Sequence, residues 1–120
     1  MMYNVLICDD DKAILNSIEI YLNMEGYKPY LATNGKEALK IIEENEIHCI
    51  VLDIMMPELD GLQTTLEIRK TKNIPIILLS AKSEDTDKIT GLGFGADDYV
   101  TKPFNPLELT ARVKSQIRRY

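Results

Sequence analysis

The chain is short of basic residues, of cysteine and of long apolar runs, and each shortage removes a class of protein. It carries 14 Lys and Arg against 19 Asp and Glu, a formal net charge of −5. Whole-surface binding to nucleic acid needs a basic footprint, so this chain alone is a poor candidate for it. The cysteines number 2, Cys8 and Cys49. They do not make a disulfide framework, and they fall toward opposite ends of neighbouring predicted strands, too far apart to bridge. The longest apolar runs are about four or five residues, against the roughly 20 that a membrane-spanning helix needs. Met1-Met2-Tyr3-Asn4 has no basic segment followed by a long apolar stretch, so no secretory signal is expected. What remains has ordinary composition, with 45% hydrophobic and 28% charged residues. A length of 120 residues suits one domain, with a core that buries roughly two thirds of the unfolded surface. A soluble, acidic, cytoplasmic domain with no membrane contact is the expectation.

Short apolar runs recur about every 22–25 residues, with helical patterns between them. Val5-Leu6-Ile7-Cys8, Cys49-Ile50-Val51-Leu52 and Ile76-Ile77-Leu78-Leu79 are apolar at every position. Strands read this way when helices cover both faces of a parallel sheet. Tyr27 to Ala32 and Asp98 to Thr101 supply two more strands. Ile14, Leu15, Ile18 and Leu22 repeat at helical spacing, and Gly26 is a reasonable stop. Ala38, Leu39 and Ile42 mark a second helix after Asn34-Gly35. Leu62, Leu66 and Ile68 suggest a third after Asp60-Gly61, and residues 85–92 a fourth. The last starts at Asn105-Pro106-Leu107-Glu108, where Glu108 fits a capping box. Leu109, Val113 and Ile117 form its buried stripe. The order is (βα)5, which predicts an α/β fold with a doubly wound, five-stranded parallel sheet.

Position makes the polar residues informative. The first strand runs into Asp9-Asp10-Asp11, the third into Asp53, the fourth into Ser80 and the fifth into Lys102. Open α/β sheets bind ligands beyond the carboxyl ends of their strands. Two carboxylates about 4 Å apart repel by roughly 4 kcal/mol at an effective dielectric near 20. Lys102 offsets one charge, and a hard cation suits the rest: oxygen ligands on few carboxylates favour Mg²⁺, with Mn²⁺ as a substitute. The plainer reading is that the acidic run only caps the first helix, but it does not explain Asp53, Ser80 and Lys102 on the same rim. A carboxylate beside Mg²⁺ and an ammonium is a phosphoryl acceptor, since that transfer asks mainly for positioning and charge neutralisation. The single histidine, His48, lies at the other end of the third strand and reads as a strand-entry residue, so a phosphohistidine donor, if there is one, must come from another protein.

These residues resemble the receiver domain of two-component response regulators over essentially all 120 residues. The matching segments are Val5 to Asp11, Leu52 to Gly61, Ile76 to Ala81 and Gly95 to Phe104. The resemblance implies strand order 2-1-3-4-5, as in flavodoxin. It implies phosphorylation of Asp53 by a sensor histidine kinase. It implies Mg²⁺ held by Asp10, Asp53 and the Met55 carbonyl, with Asp9 acting through water. Ser80 and Lys102 would contact the phosphoryl group, and the bond before Pro103 would be cis. Tyr99 matches an aromatic switch position; read by itself, it is equally a strand residue with its hydroxyl in water.

The C-terminal third is similar to the OmpR/PhoB-type transcription regulators. There the fourth helix, fifth strand and fifth helix form a symmetric dimer face. The matching positions are Lys88, Ile89, Leu92, Asp97, Asp98, Glu108, Ala111, Arg112 and Lys114. A plainer reading is a solvated face of ion pairs worth about 0–1 kcal/mol each. A winged-helix DNA-binding domain is expected to follow in a longer parent. The alternative is a stand-alone receiver in a phosphorelay.

Met55, two residues after Asp53, and Lys82, two after Ser80, depart from the side chains that orient water where the family hydrolyses quickly. Slow self-dephosphorylation is expected, and no activity on a separate metabolite. A haloacid-dehalogenase phosphatase would want a second Asp where Met55 stands. A flavodoxin would not place Asp9-Asp10-Asp11 against a flavin phosphate. Gly91 to Gly95 follows a helix and precedes a strand, the reverse of a phosphate-binding loop. The spacing of an EF-hand is absent.

Overall fold

The computed structural model describes residues 2–81 and 93–119. Its strands are β1 Asn4–Cys8, β2 Lys28–Ala32, β3 Cys49–Asp53, β4 Ile76–Ser80 and β5 Asp98–Thr101. The described helices are α1 Lys12–Met24, α2 Gly35–Glu44, α3 Gly61–Arg69 and α4 Pro106–Arg119. All strand pairs are parallel, in the order β2-β1-β3-β4-β5. The helix expected over 85–92, with Lys88, Ile89 and Leu92, lies outside the described residues, as does Lys82.

The unbroken apolar runs become the inner strands. Every residue of β3 and β4 is buried, because helices lie on both faces. Successive side chains point to opposite faces, so the strands divide between two cores. Val5, Ile7, Val51, Ile77 and Leu79 meet Leu15, Ile18 and Leu22 of α1 and Leu109 and Val113 of α4. Leu6, Ile50, Leu52, Ile76 and Leu78 meet Ala38 and Ile42 of α2 and Ile68 of α3. Each fully buried Leu or Ile contributes about 1.5–3 kcal/mol, and this holds the strand ends at fixed spacing.

Local chemistry sets the helix ends. Asp11 caps α1 by accepting from the Ala13 and Ile14 N–H groups. Asn34 caps α2 and Asp60 caps α3, each accepting from an N–H three residues on. Gly26 closes α1 with φ of 83°, a left-handed conformation that glycine adopts at low cost.

Two expectations need correction. Leu66 is 43% exposed, and the buried side of α3 is Gly61, Thr64, Thr65 and Ile68. A side chain on Gly35 would run into Thr64 Oγ1, so α2 and α3 approach closely only through small residues. At the start of α4, Asn105 Oδ1 accepts from the Leu107 N–H at 2.9 Å. Glu108 does not turn back to complete a capping box; its carboxylate lies 3.2 Å from Arg112, one turn on.

His48 is a bracket between strands. Its Nδ1 accepts from the Asn4 N–H at 2.9 Å, its own N–H donates to the Asn4 carbonyl at 2.9 Å, and Nε2 lies 3.1 Å from Glu46. Tyr3 packs edge-on against the ring. Cys8 and Cys49 are both buried and unbridged. No helix among the described residues is long and apolar enough to cross a membrane.

Candidate functional site

The strand register builds the site. Cys8 of β1 pairs with Leu52 of β3, so the next residues, Asp9 and Asp53, emerge side by side. Asp53 pairs with Leu79 and Ser80 with Thr101, which brings Ser80 and then Lys102 to the same edge. Asp9, Asp10 and Asp53 each present a carboxylate oxygen within 4.8 Å of the others. Asp9 is fully buried and Asp53 is 4% exposed, whereas Asp10 faces solvent.

Lys102 lies between the two buried acids, with Nζ 2.9 Å from Asp9 Oδ2 and 3.1 Å from Asp53 Oδ2. One ammonium does not neutralise three carboxylates. Burial pushes the Asp53 carboxyl up to about 6, the Asp9 charge adds to the rise, and Lys102 only partly opposes it. Burial works against the Lys102 ammonium, but the two carboxylates outweigh it and its pKa is raised. Asp9 Oδ1 accepts from the Asp11 N–H at 2.9 Å. Asp9 Oδ2, although ion-paired, receives no aligned hydrogen bond. An excess of buried negative charge, an oxygen with a spare lone pair and an all-oxygen donor set fit a hard divalent cation.

The loop after β3 is held against the strand end. The Gly61 N–H donates to the Ile54 carbonyl at 2.9 Å, and a Cβ on Gly61 would strike the Asp53 carbonyl. Met55 follows with its side chain 72% exposed and its N–H 3.4 Å from Asp53 Oδ1. Glu58 takes a left-handed φ of 67°. Ser80 is buried, and its carbonyl accepts from the Lys102 N–H at 2.6 Å. The Lys102–Pro103 bond is cis. Tyr99 is half-buried against the α2–α3 side of the core.

Of the charged residues expected on a dimer face, Asp97, Asp98, Glu108 and Arg112 are engaged within the chain. Asp97 accepts from Arg69 Nη2 at 2.7 Å and from the Ile76 N–H at 2.9 Å. Asp98 takes Arg112 through both carboxylate oxygens at 2.9 Å, and Glu108 joins that guanidinium. Ala111 and Lys114 are exposed on α4.

Gly61, Cys8 and Met56 were not singled out from sequence as parts of the site. Gly61 follows Asp60 at the expected helix start, and its contact with Asp53 appears only in the fold. Burial, followed by the neighbouring acids, keeps the Cys8 thiol protonated by raising its pKa.

The chain belongs to the response regulator receiver domain family, whose model matches residues 5–114. Among curated proteins it is similar to the regulatory protein VanRc of Enterococcus gallinarum, 49% identical over 120 residues, all of this chain and 52% of that protein. It is also similar to the transcriptional regulatory protein SrrA of Staphylococcus aureus, 44% identical over 119 residues, 99% of this chain and 49% of that one. The chain thus spans about half the length of the curated relatives it matches. Among solved structures, a Francisella response regulator receiver domain superposes with a TM-score of 0.93 at 43% identity, covering 98% of both chains. DrrB of Thermotoga maritima, an OmpR/PhoB homologue, gives 0.91 at 38% identity, covering 99% of this chain and 54% of that one.

Proposed function

We propose that this receiver is a phosphorylation-driven switch: Asp53 takes a phosphoryl group from a phosphohistidine on a sensor kinase, and the change governs transcription through the remainder of a longer regulator. The carrying observation is Lys102 wedged between buried Asp9 and Asp53, with Asp10 beside them. Asp10, Asp53 and the Met55 main-chain carbonyl would hold Mg²⁺ directly, and Asp9 would hold it through water. Bound there, Mg²⁺ supplies charge neutralisation for the incoming phosphoryl oxygens.

In the transfer, an Asp53 carboxylate oxygen forms a bond to phosphorus while the phosphorus–nitrogen bond of the donor breaks and its electron pair returns to the imidazole. The packed end of β3 keeps the acceptor oxygen in place. Lys102 offsets charge on the phosphoryl oxygens, and the Ser80 hydroxyl donates to one of them. The chain acts on no separate metabolite; it promotes only its own phosphorylation and slow hydrolysis. An apolar groove of about 540 Å³ beside Lys102, lined by Ala13, Ile14, Phe104 and Pro106 among others, gives the kinase a surface next to Asp53.

Moving from 1:99 to 99:1 in the active form needs about 5.5 kcal/mol. Several charge-assisted hydrogen bonds to the phosphoryl group contribute much of that. Tyr99 and the α4 face with Ala111 and Lys114 then pair with a second copy. Arg112, Asp98, Glu108 and Asp97 supply charges at its margin. Isologous pairing repeats each contact twice.

Intact-mass measurement after treatment with acetyl phosphate and Mg²⁺ tests the reading. Wild type should gain one phosphoryl adduct and Asp53→Ala none. An adduct that persists in the variant removes the central assignment.

A further inference from the structure

We propose that the Cys8 thiol is a positioning group for the acidic site, clipping the loop after Asp53 to the end of β1 and the start of α2. Its sulfur lies 3.2 Å from the Asn34 carbonyl oxygen and 3.3 Å from Met56 Sδ. These atoms belong to three segments that frame the site. Cys8 immediately precedes Asp9. Asn34 caps α2. Met56 follows Met55, whose main-chain carbonyl is the proposed metal ligand; in this respect the inference rests on the function proposed above.

The donor count is satisfied. A thiol has one proton and can share it between a carbonyl and a thioether, the carbonyl being the better acceptor. The Asn34 carbonyl already accepts from the Ala38 N–H at 3.1 Å, which leaves its second lone pair for the thiol. Met56 Sδ, a polarisable and weak acceptor, fills the other side of the sulfur.

The loop needs such an anchor. Met55 projects outward, and its N–H reaches Asp53 Oδ1 only at 3.4 Å. Glu58 holds a left-handed φ, a conformation that costs a non-glycine residue energy unless its surroundings enforce it. Met56 packs inward from this stretch, partly buried against the α2–α3 core, and its sulfur meets a fully buried thiol. Valine in place of Cys8 would fill comparable space without a donor. Leucine in place of Met56 would keep the apolar bulk without the sulfur. The clip is therefore separable from simple packing.

The test uses Cys8→Val, Met56→Leu and the double variant, with two measurements. Amide hydrogen exchange is followed in metal-free protein, and Mg²⁺ affinity is measured by calorimetry. Each single variant should speed exchange at Met55, Glu58 and Leu59 while sparing Val5–Ile7 and Ile50–Leu52. Each should also weaken Mg²⁺ binding by about tenfold, the lower end for losing a contact that orients a ligand-bearing segment. The double variant should be no worse than Cys8→Val, which already removes both of the thiol's contacts, the one to Met56 included. Unchanged exchange at the loop overturns the proposal. So does faster exchange spread evenly over β1 and β3, which would mean general loosening, and so do additive effects in the double variant. If wild type fails to bind Mg²⁺ while the localised exchange pattern appears, the clip stands and the metal assignment falls.

Discussion

Lys102 and Asp53 are joined across the strand ends, the ammonium 3.1 Å from Asp53 Oδ2, and the same nitrogen reaches the fully buried Asp9 at 2.9 Å. One cation thus serves two buried anions. Removing one partner of a buried pair leaves uncompensated charge and costs about 3–5 kcal/mol. Lys102→Met should lower stability by that order in metal-free buffer, and Mg²⁺ should restore part of it. Urea midpoints with and without Mg²⁺ check this; a variant as stable as wild type in metal-free buffer contradicts it.

Asp53 should oppose folding at neutral pH. Its carboxyl is raised from 3.8 to about 6 by burial and then by Asp9, so the folded state holds this proton more tightly than the unfolded one. The stabilisation it gives in acid is therefore lost as pH rises through about 6. Asp53→Asn removes that loss and should be more stable than wild type at pH 7 by about 1–3 kcal/mol, the gap closing toward pH 4. Paired stability curves from pH 4 to pH 8 read the difference. A gap that widens on acidification has the wrong sign.

Gly61 permits a contact that no side chain tolerates. A Cβ there meets the Asp53 carbonyl, so Gly61→Ala must shift either α3 or the end of β3. Forced overpacking costs about 1–3 kcal/mol, and acceptance of phosphate from acetyl phosphate should slow in step. Normal stability and normal phosphorylation together would show that the strand end yields freely.

Met55 is exposed beside Asp53, the proposed acceptor, and its thioether is at best a weak hydrogen-bond acceptor, unsuited to orienting water. Met55→Asn should shorten the lifetime of phosphorylated Asp53 while changing stability by less than about 0.5 kcal/mol, as exposed positions usually do. Loss of radiolabel over time in Mg²⁺ measures it. A wild-type label that disappears within seconds would contradict slow hydrolysis.

The sheet was legible because both its faces are covered. Ile76 to Leu79 and Cys49 to Leu52 are continuous apolar runs, and a strand buried on both sides is recognisable without alternation. Asp9, Asp53, Ser80 and Lys102 could be grouped because each directly follows such a run, and parallel strands bring their carboxyl ends to one edge. The third helix was harder. Leu66 suggested its buried stripe, but the close approach of Gly35 selects Thr64 and Thr65 instead, and no local pattern reports a neighbour about 30 residues away. Long-range polar contacts were invisible for the same reason. Arg69 donates to the carbonyls of Gly95 and Ile74 and to Asp97, and neither this hub nor the pairing of Cys8 with Met56 leaves a periodic trace. Asp97 and Asp98 looked equivalent as neighbours on a charged face. The fold sends Asp97, in the bend before β5, to Arg69 and Asp98, the first residue of β5, to Arg112.

The bracket formed by His48 has a practical corollary. It is the chain's 1 imidazole, placed before the first residue of β3, whereas the Asp53 carboxylate stands at the last. Five residues at about 3.3 Å each separate them by roughly 16 Å. Its ring resonances therefore form a built-in reference signal, moving when the Asn4 contact opens on unfolding and holding still when only the acidic edge changes occupancy. One sample, observed at one ring, can distinguish a molecule that has been switched from one that has begun to melt.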